Sequence, residues 1–279
     1  MTRAARIRIG AGTRAVVTGA GSGLGRALAK ALASRGAVVV VADVRGSTAR
    51  ETAREIGADG GQAHAVVCDV TKADDVARLA AEAATLAGEV DLLVNNAGIG
   101  AAGEVGVADL DSWRRAIDVN LCGVIHGCHY FVPGMRARGR GHVLNVASAA
   151  AIAAVPGMGA YNVTKAAVVA LSETLAAEAA GDGVRVTVLM PGFFPTNIVN
   201  DTVGPIEDGK RRLAEMLMQR SKYSADDVAR LALRAVERGK LYALPHGEIR
   251  WLWRVKRAAP RTYARLVGAL ERRGVFSRA

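Results

Sequence analysis

Short apolar runs and longer amphipathic segments alternate along the chain. Residues 37–43, AVVVVAD, form an unbroken β-branched run that ends in an acid, which predicts a strand buried on both faces. Residues 24–36 carry leucines and alanines at helical spacing and end at a glycine, which predicts a helix. By the same criteria, strands are predicted at 15–20, 64–70, 91–98, 141–148, 184–192 and 240–245, and helices at 47–57, 72–88, within 111–139, at 161–180 and near 225–238.

This alternation predicts an α/β fold, a doubly wound parallel sheet of the Rossmann type with helices on both faces. Parallel strands need crossover connections, and a helix after each strand supplies them with right-handed geometry. The composition agrees, since 51% of the residues are hydrophobic but only 4% are aromatic, as in a Val-rich sheet under Ala-rich helices. No linker precedes about Lys240, so we predict one domain over 1–245 and a helical C-terminal extension over 246–279.

Three features bear on the compartment. The first residues, MTRAARIRIGAGTR, are basic and lack the apolar stretch of a signal peptide. The longest uncharged run, 141–164, has membrane length, but its Pro, Gly and Asn residues favour a strand, a loop and a helix start. Three cysteines without a secretory signal indicate a reducing compartment. We therefore expect a cytoplasmic protein.

Cys122, His126, Cys128 and His129 lie close together and resemble a metal-binding cluster. On a helix, however, Cys128 points away from the side that the other three share. Packing in the core or at an interface is the simpler interpretation, and no metal site is predicted.

A glycine-rich turn, TGAGSGLG (18–25), joins the first predicted strand to the first helix. Gly19, Gly23 and Gly25 permit a tight turn and let backbone N–H groups approach a pyrophosphate, whose charge the helix N-terminus favours. The spacing differs from G-x-G-x-x-G, and ordinary turns also use glycine. The strand–turn–helix setting nevertheless favours a dinucleotide site.

Asp43 ends the second predicted strand. A carboxylate there can accept hydrogen bonds from both hydroxyls of an adenosine ribose and would repel a 2′-phosphate, which favours NAD over NADP. Arg45 leaves NADP some room. The alternative role for Asp43 is that of a helix-capping or turn carboxylate.

The pentapeptide YNVTK places Tyr161 and Lys165 four residues apart, on one face of a predicted helix. An ammonium beside a phenol lowers the phenol's pKa from about 10, and such a phenol can exchange a proton with an alcohol or carbonyl oxygen. Ser148 follows a predicted strand at the edge where open α/β sheets bind ligands, and its hydroxyl can bond the same oxygen. A Tyr–Lys pair at this spacing is also common on exposed helices, so the pair alone leaves both interpretations open.

In combination these motifs resemble the short-chain dehydrogenase/reductase family, in its single-domain branch. The matching pieces are TGAGSGLG (18–25), CDVT (68–71), NNAG (95–98), Asn120 in IDVN, Ser148, YNVTK (161–165) and PG (191–192), in the family's order and spacing. The resemblance covers about residues 12–245, and it is specific because several independent motifs coincide.

The resemblance implies an NAD(P)-dependent oxidoreductase that interconverts a secondary alcohol and a ketone, or an alcohol and an aldehyde. It implies that Tyr161 is the general acid/base, that Lys165 lowers its pKa and holds the nicotinamide ribose, and that Ser148 orients the reacting oxygen. Asn120 would position Lys165 through a water. The implied cofactor-binding residues are Gly19, Ser22, Gly23, Leu24, Gly25, Asp43, Asp69, Val70, Asn96, Ala97, Gly98, Tyr161, Lys165, Pro191, Gly192 and Thr196. Family members are usually homotetramers or homodimers, so a homo-oligomer is expected.

Segments 98–106, 149–160 and 193–220 are expected on the substrate side. They are rich in small and apolar residues, which predicts a pocket for a lipophilic alcohol or ketone. The larger apolar side chains are Phe193, Phe194, Leu213, Met216, Leu217 and Met218. The same residues suit an ordinary core, or a lid that packs on itself.

The net charge of +11 is concentrated at the C-terminal end, where twelve basic and three acidic residues follow from Arg234 onward. The arginines at 250, 254, 257 and 261 recur on one helical stripe; Ile249, Leu252, Trp253, Tyr263, Leu266, Val267 and Leu270 form an apolar stripe, and Pro260 can begin a second helix. Such helices lie in an anionic membrane interface, here the inner membrane surface, or pack on the body or a sister subunit. No nucleic-acid-binding fold supports a third use.

A different class of function is also open. A protein of this fold can bind the dinucleotide without turnover and act as a sensor or scaffold. The complete set of Asn120, Ser148, Tyr161 and Lys165 argues against that alternative.

Overall fold

The computed structural model describes residues 7–275, in which seven parallel strands form one sheet. The strands are β1 (Arg14–Thr18), β2 (Val38–Asp43), β3 (Gln62–Val67), β4 (Leu92–Asn95), β5 (Gly141–Val146), β6 (Val184–Leu189) and β7 (Tyr242–Ala243). Their order is β3-β2-β1-β4-β5-β6-β7, with parallel pairing throughout. The predicted doubly wound sheet is thereby confirmed.

Helices follow the strands in the predicted alternation. They are α1 (Gly23–Ala33), α2 (Gly46–Ala58), α3 (Ala73–Leu86), α4 (Leu110–Ile117), α5 (Gly123–Ala137), α6 (Ala150–Ala153), α7 (Gly159–Glu178), α8 (Asp208–Gln219), α9 (Ala225–Glu237), α10 (Gly247–Ala258) and α11 (Pro260–Arg272). The predicted long helix within 111–139 is divided, because a π-helical turn at Asp118–Cys122 separates α4 from α5. Helix α11 begins at Pro260, as predicted.

The sheet is buried on both faces. In β2, Val39 and Val41 join the core beneath α1, α2 and α9, whereas Val40 and Ala42 join the core beneath α3, α5 and α7. Successive strand residues point to opposite faces, so a run of four valines supplies both cores. This explains why the strand had to be apolar at every position.

The strands end earlier than the apolar pattern predicts. The predicted 64–70, 91–98, 141–148 and 184–192 become strands that end at Val67, Asn95, Val146 and Leu189. The residues that follow them turn away at the carboxyl edge of the sheet. The order of the strands also reverses between β1 and β4, so a crevice opens there, as open α/β sheets form at their ligand sites.

The C-terminal helices pack on the body of the molecule. Ile249 and Trp253 of α10 contact an apolar cluster with Met190, Tyr242 and Leu244, and the rings of Tyr242 and Trp253 meet edge to face with centroids 4.8 Å apart. No helix within 7–275 is long and apolar enough to cross a membrane. Part of the N-terminal segment that was predicted not to be a signal peptide, residues 1–6, lies outside the described residues. Arg278 of the basic C-terminal tail lies outside them as well.

Candidate active site

A cavity of about 1500 Å³ runs along the carboxyl edge of the sheet. It is lined by every residue that the sequence marks as catalytic or cofactor-binding, with the exception of Asn120. Asn120 is fully buried behind the wall. The predicted site residues are thus brought to one place by the carboxyl ends of strands β1 to β6 and by helix α7.

The glycine turn has the conformation that the motif requires. Gly19 has φ +62°, and a Cβ on it would lie 2.8 Å from Cα of Ala97. A Cβ on Gly25 would lie 2.1 Å from the carbonyl oxygen of Gly19. Asn96 secures this packing, because its Nδ2 donates to the carbonyls of Thr18 (2.9 Å) and Gly19 (3.1 Å). The side chain of Asn96 therefore holds the turn against β4.

The N-terminus of α1 opens onto the cavity and fits a pyrophosphate. Gly23 has φ +52°, and a Cβ there would have no neighbour within 4 Å. Ser22, at the N-cap, makes no side-chain capping bond, so the first N–H groups of the helix are left for another acceptor. Backbone donors at a helix N-terminus suit an anion. The residues present therefore fit the phosphates of a dinucleotide.

Asp43 is 5% exposed and carries out the structural role that was left open as an alternative. Its Oδ2 accepts from the N–H of Gly21 (2.9 Å) and its Oδ1 accepts from the N–H of Arg45 (2.9 Å). Each carboxylate oxygen keeps a second acceptor position, and the residue lines the cavity. The structure thus allows the turn role and the ribose role at once. The guanidinium of Arg45 lies 3.9 Å from Oδ1 and is half exposed.

The segment after β3 lies at the same end of the cavity. Asp69 accepts from the N–H (3.1 Å) and the hydroxyl (2.7 Å) of Thr71, so its carboxylate shapes the loop rather than pointing freely at a ligand. The carbonyl of Val70 is 2.9 Å from Nδ1 of His126, while the side chain of Val70 is buried. Both residues still line the cavity, as do Ala97 and Gly98.

Tyr161 and Lys165 lie in the first turns of α7, and both are buried, at 8% and 3% exposed. The exposed-helix interpretation of YNVTK is therefore wrong. Lys165 Nζ lies 5.8 Å from the centroid of the Tyr161 ring and donates to the carbonyl of Val146, 3.0 Å away. Burial lowers the pKa of Lys165 to about 8. The ammonium is held beneath the phenol by the end of β5.

The expected lowering of the Tyr161 pKa is not found. Burial raises the pKa of the phenol above its ordinary value, and a hydrogen bond with Ser148 opposes that rise. A phenol removed from water favours its neutral form, and here this effect exceeds what the neighbouring groups supply. At neutral pH Tyr161 is therefore a protonated acid.

Ser148 and Asn120 occupy the two sides of this pair. Ser148 follows β5, lies beside Tyr161, and accepts through Oγ from the N–H of Ala150 (3.1 Å). Asn120 lies in the π-helical turn, where it bonds both the N–H (2.8 Å) and the carbonyl (3.0 Å) of Ile99. A Cβ built on Gly98 would lie 3.1 Å from Asn120 Oδ1 and 3.2 Å from Lys165 Nζ. The amide of Asn120 and the ammonium of Lys165 therefore both lie close to Gly98.

The loop after β6 is held by a residue that the sequence analysis missed. The N–H of Gly192 donates to Nδ1 of His246 (3.0 Å), and Nε2 of His246 is 3.2 Å from the carbonyl of Phe193. His246 is 3% exposed, and burial lowers its pKa, so the neutral ring accepts from Gly192 and donates to Phe193. Its position directly after the last predicted strand was the signal, because ligand-binding residues follow strands at this edge.

The remaining residues of this end lie where they were expected. Pro191 lines the cavity, and Thr196 caps the short 3₁₀ turn Asn197–Val199 by accepting from the N–H of Ile198 (3.0 Å).

Among the described residues, no group of His, Cys, Asp or Glu side chains is placed to hold a metal ion. Burial raises the pKa of Cys128 to about 11, so this thiol stays protonated.

The substrate side of the cavity is largely apolar. Of the six large apolar residues expected there, Phe193, Phe194, Leu213, Leu217 and Met218 line it, whereas Met216 does not. Phe194 and Met218 are also buried, so they serve the core as well. Charged residues interrupt the wall: Glu104, Arg115, Asp201, Glu207, Lys210, Arg220, Lys222 and Glu248.

Comparisons with known proteins agree with this geometry. A family model described as short chain dehydrogenase matches residues 13–205. The probable oxidoreductase EphD of Mycobacterium tuberculosis is 38% identical over 261 residues, covering 90% of this chain, which spans only 44% of that protein's length. The 1-deoxy-11-beta-hydroxypentalenate dehydrogenase of Streptomyces exfoliatus is 36% identical, with 85% of this chain and 84% of the relative covered.

A crystal structure agrees as well. The short chain dehydrogenase/reductase of Burkholderia phymatum in complex with NAD superposes with a TM-score of 0.86 at 34% identity, covering 92% of this chain and 96% of the other.

Proposed function

The chain belongs to the short-chain dehydrogenase family, and we propose that it is an NAD(P)-dependent oxidoreductase that interconverts a secondary alcohol and a ketone, or an alcohol and an aldehyde. The observation that carries the proposal is that the buried Tyr161 and Lys165 meet the half-buried Ser148 at the wall of a cavity whose far end fits a dinucleotide. Residues 1–245 form the catalytic domain, and 246–279 are an extension of it.

In the proposed mechanism, Tyr161 carries the proton. Its protonated phenol donates to the carbonyl oxygen of a ketone in the reducing direction and receives the proton back in the oxidising direction. Ser148 bonds the same oxygen and fixes its position beside the phenol. A bound nicotinamide dinucleotide supplies or accepts the hydride. Lys165 places a cation under the phenol, which stabilises the phenolate when the proton has left.

The remaining residues would hold the dinucleotide or support those that do. Gly19 to Gly25 would present backbone donors to its phosphates, and Asp69 and Val70 would contact the adenine. The loops Asn96–Gly98 and Pro191–Thr196 would hold the ribose and the nicotinamide. Asn120 would position Lys165 through a water, since both groups flank Gly98.

We propose NAD as the preferred cofactor. The buried carboxylate of Asp43 has acceptor positions for ribose hydroxyls and would repel a 2′-phosphate in a site that excludes water. Arg26 of α1 is already engaged by Glu51 (3.2 Å) and Glu55 (3.0 Å). The two glutamates therefore compensate the charge of Arg26, which makes its guanidinium a poor ligand for a phosphate.

The substrate is proposed to be lipophilic. Apolar side chains of the loop after β6 and of α8 line the wall opposite Tyr161, and a relative at 36% identity is named as a dehydrogenase of a hydroxypentalenate. Such a wall favours an apolar alcohol or ketone over a sugar.

A homo-oligomer is proposed as well, a dimer or a tetramer. Ile125 on α5 and Val163 on α7 are 43% and 53% exposed. These apolar side chains lie on helices that cover the same face of the sheet, and a partner subunit would remove them from water.

We also propose a peripheral contact of this cytoplasmic protein with the inner membrane surface. Arg250, Arg254 and Arg257 are exposed on α10, and Trp251 beside them is 67% exposed. On α11, Leu266 is 58% exposed. A basic face with an exposed tryptophan fits an anionic lipid interface.

The test is the formation of reduced nicotinamide, followed by absorbance, with NAD and NADP in parallel. The alcohols are cyclohexanol, cyclododecanol, long-chain 2-alkanols and polycyclic secondary alcohols. We expect turnover with NAD that falls by about 10²-fold or more in Tyr161→Phe, because the proton-transfer group is lost. Tyr130→Phe removes a hydroxyl from α5, outside the cavity, and serves as the matched control.

Each other outcome contradicts a part of the proposal. Turnover mainly with NADP would overturn the role of Asp43. Unchanged turnover in Tyr161→Phe would overturn the catalytic assignment. Cofactor binding without turnover of any alcohol would favour the sensing or scaffold alternative.

A further inference from the structure

The short helix α6 begins two residues after Ser148 and forms part of the cavity wall. Its four residues leave carbonyl groups at the C-terminal end without partners inside the helix. The chain then leaves α6 through Ala154, a non-glycine residue with φ +50°, in the left-handed region. Such a conformation costs free energy and persists only where the surroundings fix it.

The C-terminal extension fixes it. Lys256 of α10 donates through Nζ to the carbonyl of Ile152 (2.6 Å), and Tyr263 of α11 donates through its hydroxyl to the carbonyl of Ala153 (2.6 Å). The ammonium of Lys256 also lies 5.6 Å from the centroid of the Tyr263 ring. Two residues from beyond the matched family region therefore satisfy the last two carbonyls of α6, next to the strained Ala154.

The extension also contacts α8. Glu271 of α11 pairs with Lys210 of α8 at 3.4 Å, and the Lys210 side chain is 15% exposed. A Cβ on Gly157 would lie 2.8 Å from Nζ of Lys210, so this lysine touches the segment that follows α6. Lys210 and Gly157 both line the cavity. Helix α11 thus contacts both α6 and α8, and residues of both helices line the cavity.

We infer that α10 and α11 act as a clamp on the substrate side of the cavity, with Lys256 and Tyr263 as positioning residues that hold the end of α6. This inference deepens the proposed function and rests on it. The clamp fixes the wall that bulky substrates contact, while Tyr161 and Lys165 are held by α7 and β5. It therefore affects the binding of large alcohols more than the hydride step.

The first measurement needs no substrate. Hydrogen exchange is followed in residues 149–158 of the full chain, as wild type and as the double variant Lys256→Met with Tyr263→Phe. We expect exchange in this segment to be about tenfold faster or more in the variant, since two hydrogen bonds that oppose its opening are lost. Lys240→Met with Tyr130→Phe makes the same two types of change away from α6, α10 and α11 and is the control, for which exchange in 149–158 stays at the wild-type rate.

The second measurement separates binding from chemistry. With NAD saturating, we expect KM for cyclododecanol to rise about five- to tenfold in the Lys256→Met, Tyr263→Phe variant while kcat changes less than about twofold. KM for cyclohexanol, which is too small to need the far wall, stays near the wild-type value. The affinity for NAD, measured by protein fluorescence, is unchanged.

The two measurements fail in different ways. Unchanged exchange in 149–158, or an equal increase in the control variant, overturns the clamp whatever the enzyme does. Faster exchange with an equal change in KM for both alcohols overturns its role in selecting substrates. Faster exchange with no turnover of either alcohol by the wild type leaves the clamp standing and counts against the proposed function instead.

Discussion

The role proposed for Lys165 requires a buried cation, and a buried cation lowers the stability of the folded protein. Lys165 is 3% exposed and has one described hydrogen bond, to the carbonyl of Val146. Burial lowers its pKa from 10.5 to about 8, which means that the folded protein holds this proton less tightly than the unfolded chain does. Below pH 8 the protein therefore carries the full cost of a buried charge, and this cost disappears as the pH rises toward 10.5.

We predict that Lys165→Met abolishes turnover yet stabilises the protein at neutral pH. The pKa shift corresponds to a cost of about 3 kcal/mol, and the lost hydrogen bond offsets about 1 kcal/mol of the gain, which leaves about 2 kcal/mol. Urea unfolding of wild type and variant, near pH 7 and near pH 9.5, measures the difference. The gain should shrink at the higher pH, because the native lysine is then largely neutral.

The control for this prediction is Lys240→Met, which removes an exposed ammonium. Its free energy of unfolding should follow the wild type at both pH values. A Lys165→Met protein that is less stable than the wild type at pH 7, or a gain that is the same at both pH values, would contradict the assignment of Lys165 as a buried destabilising charge.

Single residues were predictable from the sequence where a motif ties them to backbone geometry. The glycines at 19, 23 and 25 were found because only glycine fits the turn. The pKa of Tyr161 was predicted in the wrong direction, because spacing along a helix indicates which charge is near but not how much water is lost. Asn120 was predicted to position Lys165, but its hydrogen bonds to Ile99 were not predicted. They depend on a π-helical turn, which no local sequence pattern indicates.

At the scale of elements, the cavity depends on loops held by residues far away in the chain. The loop after β6 is joined to the end of β7 by His246, across 54 residues of sequence. Both hydrogen bonds of His246 require a neutral ring, because Nδ1 accepts from the N–H of Gly192 and the Nε2–H donates to the carbonyl of Phe193. The edge-to-face contact of His246 with Tyr223 fixes the ring plane at a centroid distance of 4.6 Å. This end of the cavity, where we propose that the nicotinamide binds, is therefore set by a residue outside the matched family region.

We predict that His246→Ala weakens the binding of NAD about tenfold and leaves the binding of ADP-ribose nearly unchanged, since two hydrogen bonds near the nicotinamide are lost while the ribose and phosphate contacts remain. Titration calorimetry with the two ligands separates the effects. His246→Asn keeps a short acceptor for Gly192 and should recover part of the affinity. His64→Ala, a change in β3, is the control. Equal weakening for both ligands would show that His246 supports the whole fold instead.

The elements were predicted well where burial alone decides them and poorly at the site. Each predicted strand exists, but β3 to β6 stop short because their last residues line the cavity rather than extend the ladder. An apolar run in the sequence does not show which of its residues belong to a strand and which are small residues that line the cavity. Helix α6 was missed for a related reason, since four alanine-rich residues have no periodicity, and it is stabilised by Lys256 and Tyr263 from more than a hundred residues away.

At the scale of the whole molecule, charge and apolar surface coincide on the C-terminal helices. One stripe of the extension packs on the body, as Ile249 and Trp253 show, so packing was the correct prediction for that face. The arginines of α10 stay exposed beside Trp251, and Leu266 of α11, which was predicted on the apolar stripe, is exposed as well. Packing and membrane contact were posed as alternatives, yet the two faces of one helical pair allow both. If both proposals hold, α10 and α11 contact α6 at the cavity with one face and the membrane with the other. A lipophilic alcohol dissolved in the membrane would then lie close to the cavity.

The last prediction concerns this exposed face. In sedimentation with vesicles, we expect binding to phosphatidylcholine vesicles that contain phosphatidylserine, little binding to phosphatidylcholine alone, and a loss of binding as salt is raised, since screening weakens attraction to an anionic surface. Replacing Arg250, Arg254 and Arg257 by glutamine should weaken binding by about 100-fold, at roughly 1 kcal/mol for each charge. Trp251→Ser should weaken it further, because the indole no longer enters the interface. Leu110→Ser removes an exposed leucine, 68% accessible, from α4 and should change nothing. Equal binding to neutral and anionic vesicles, or none at low salt, would contradict the membrane contact and leave the arginines as a solvated face.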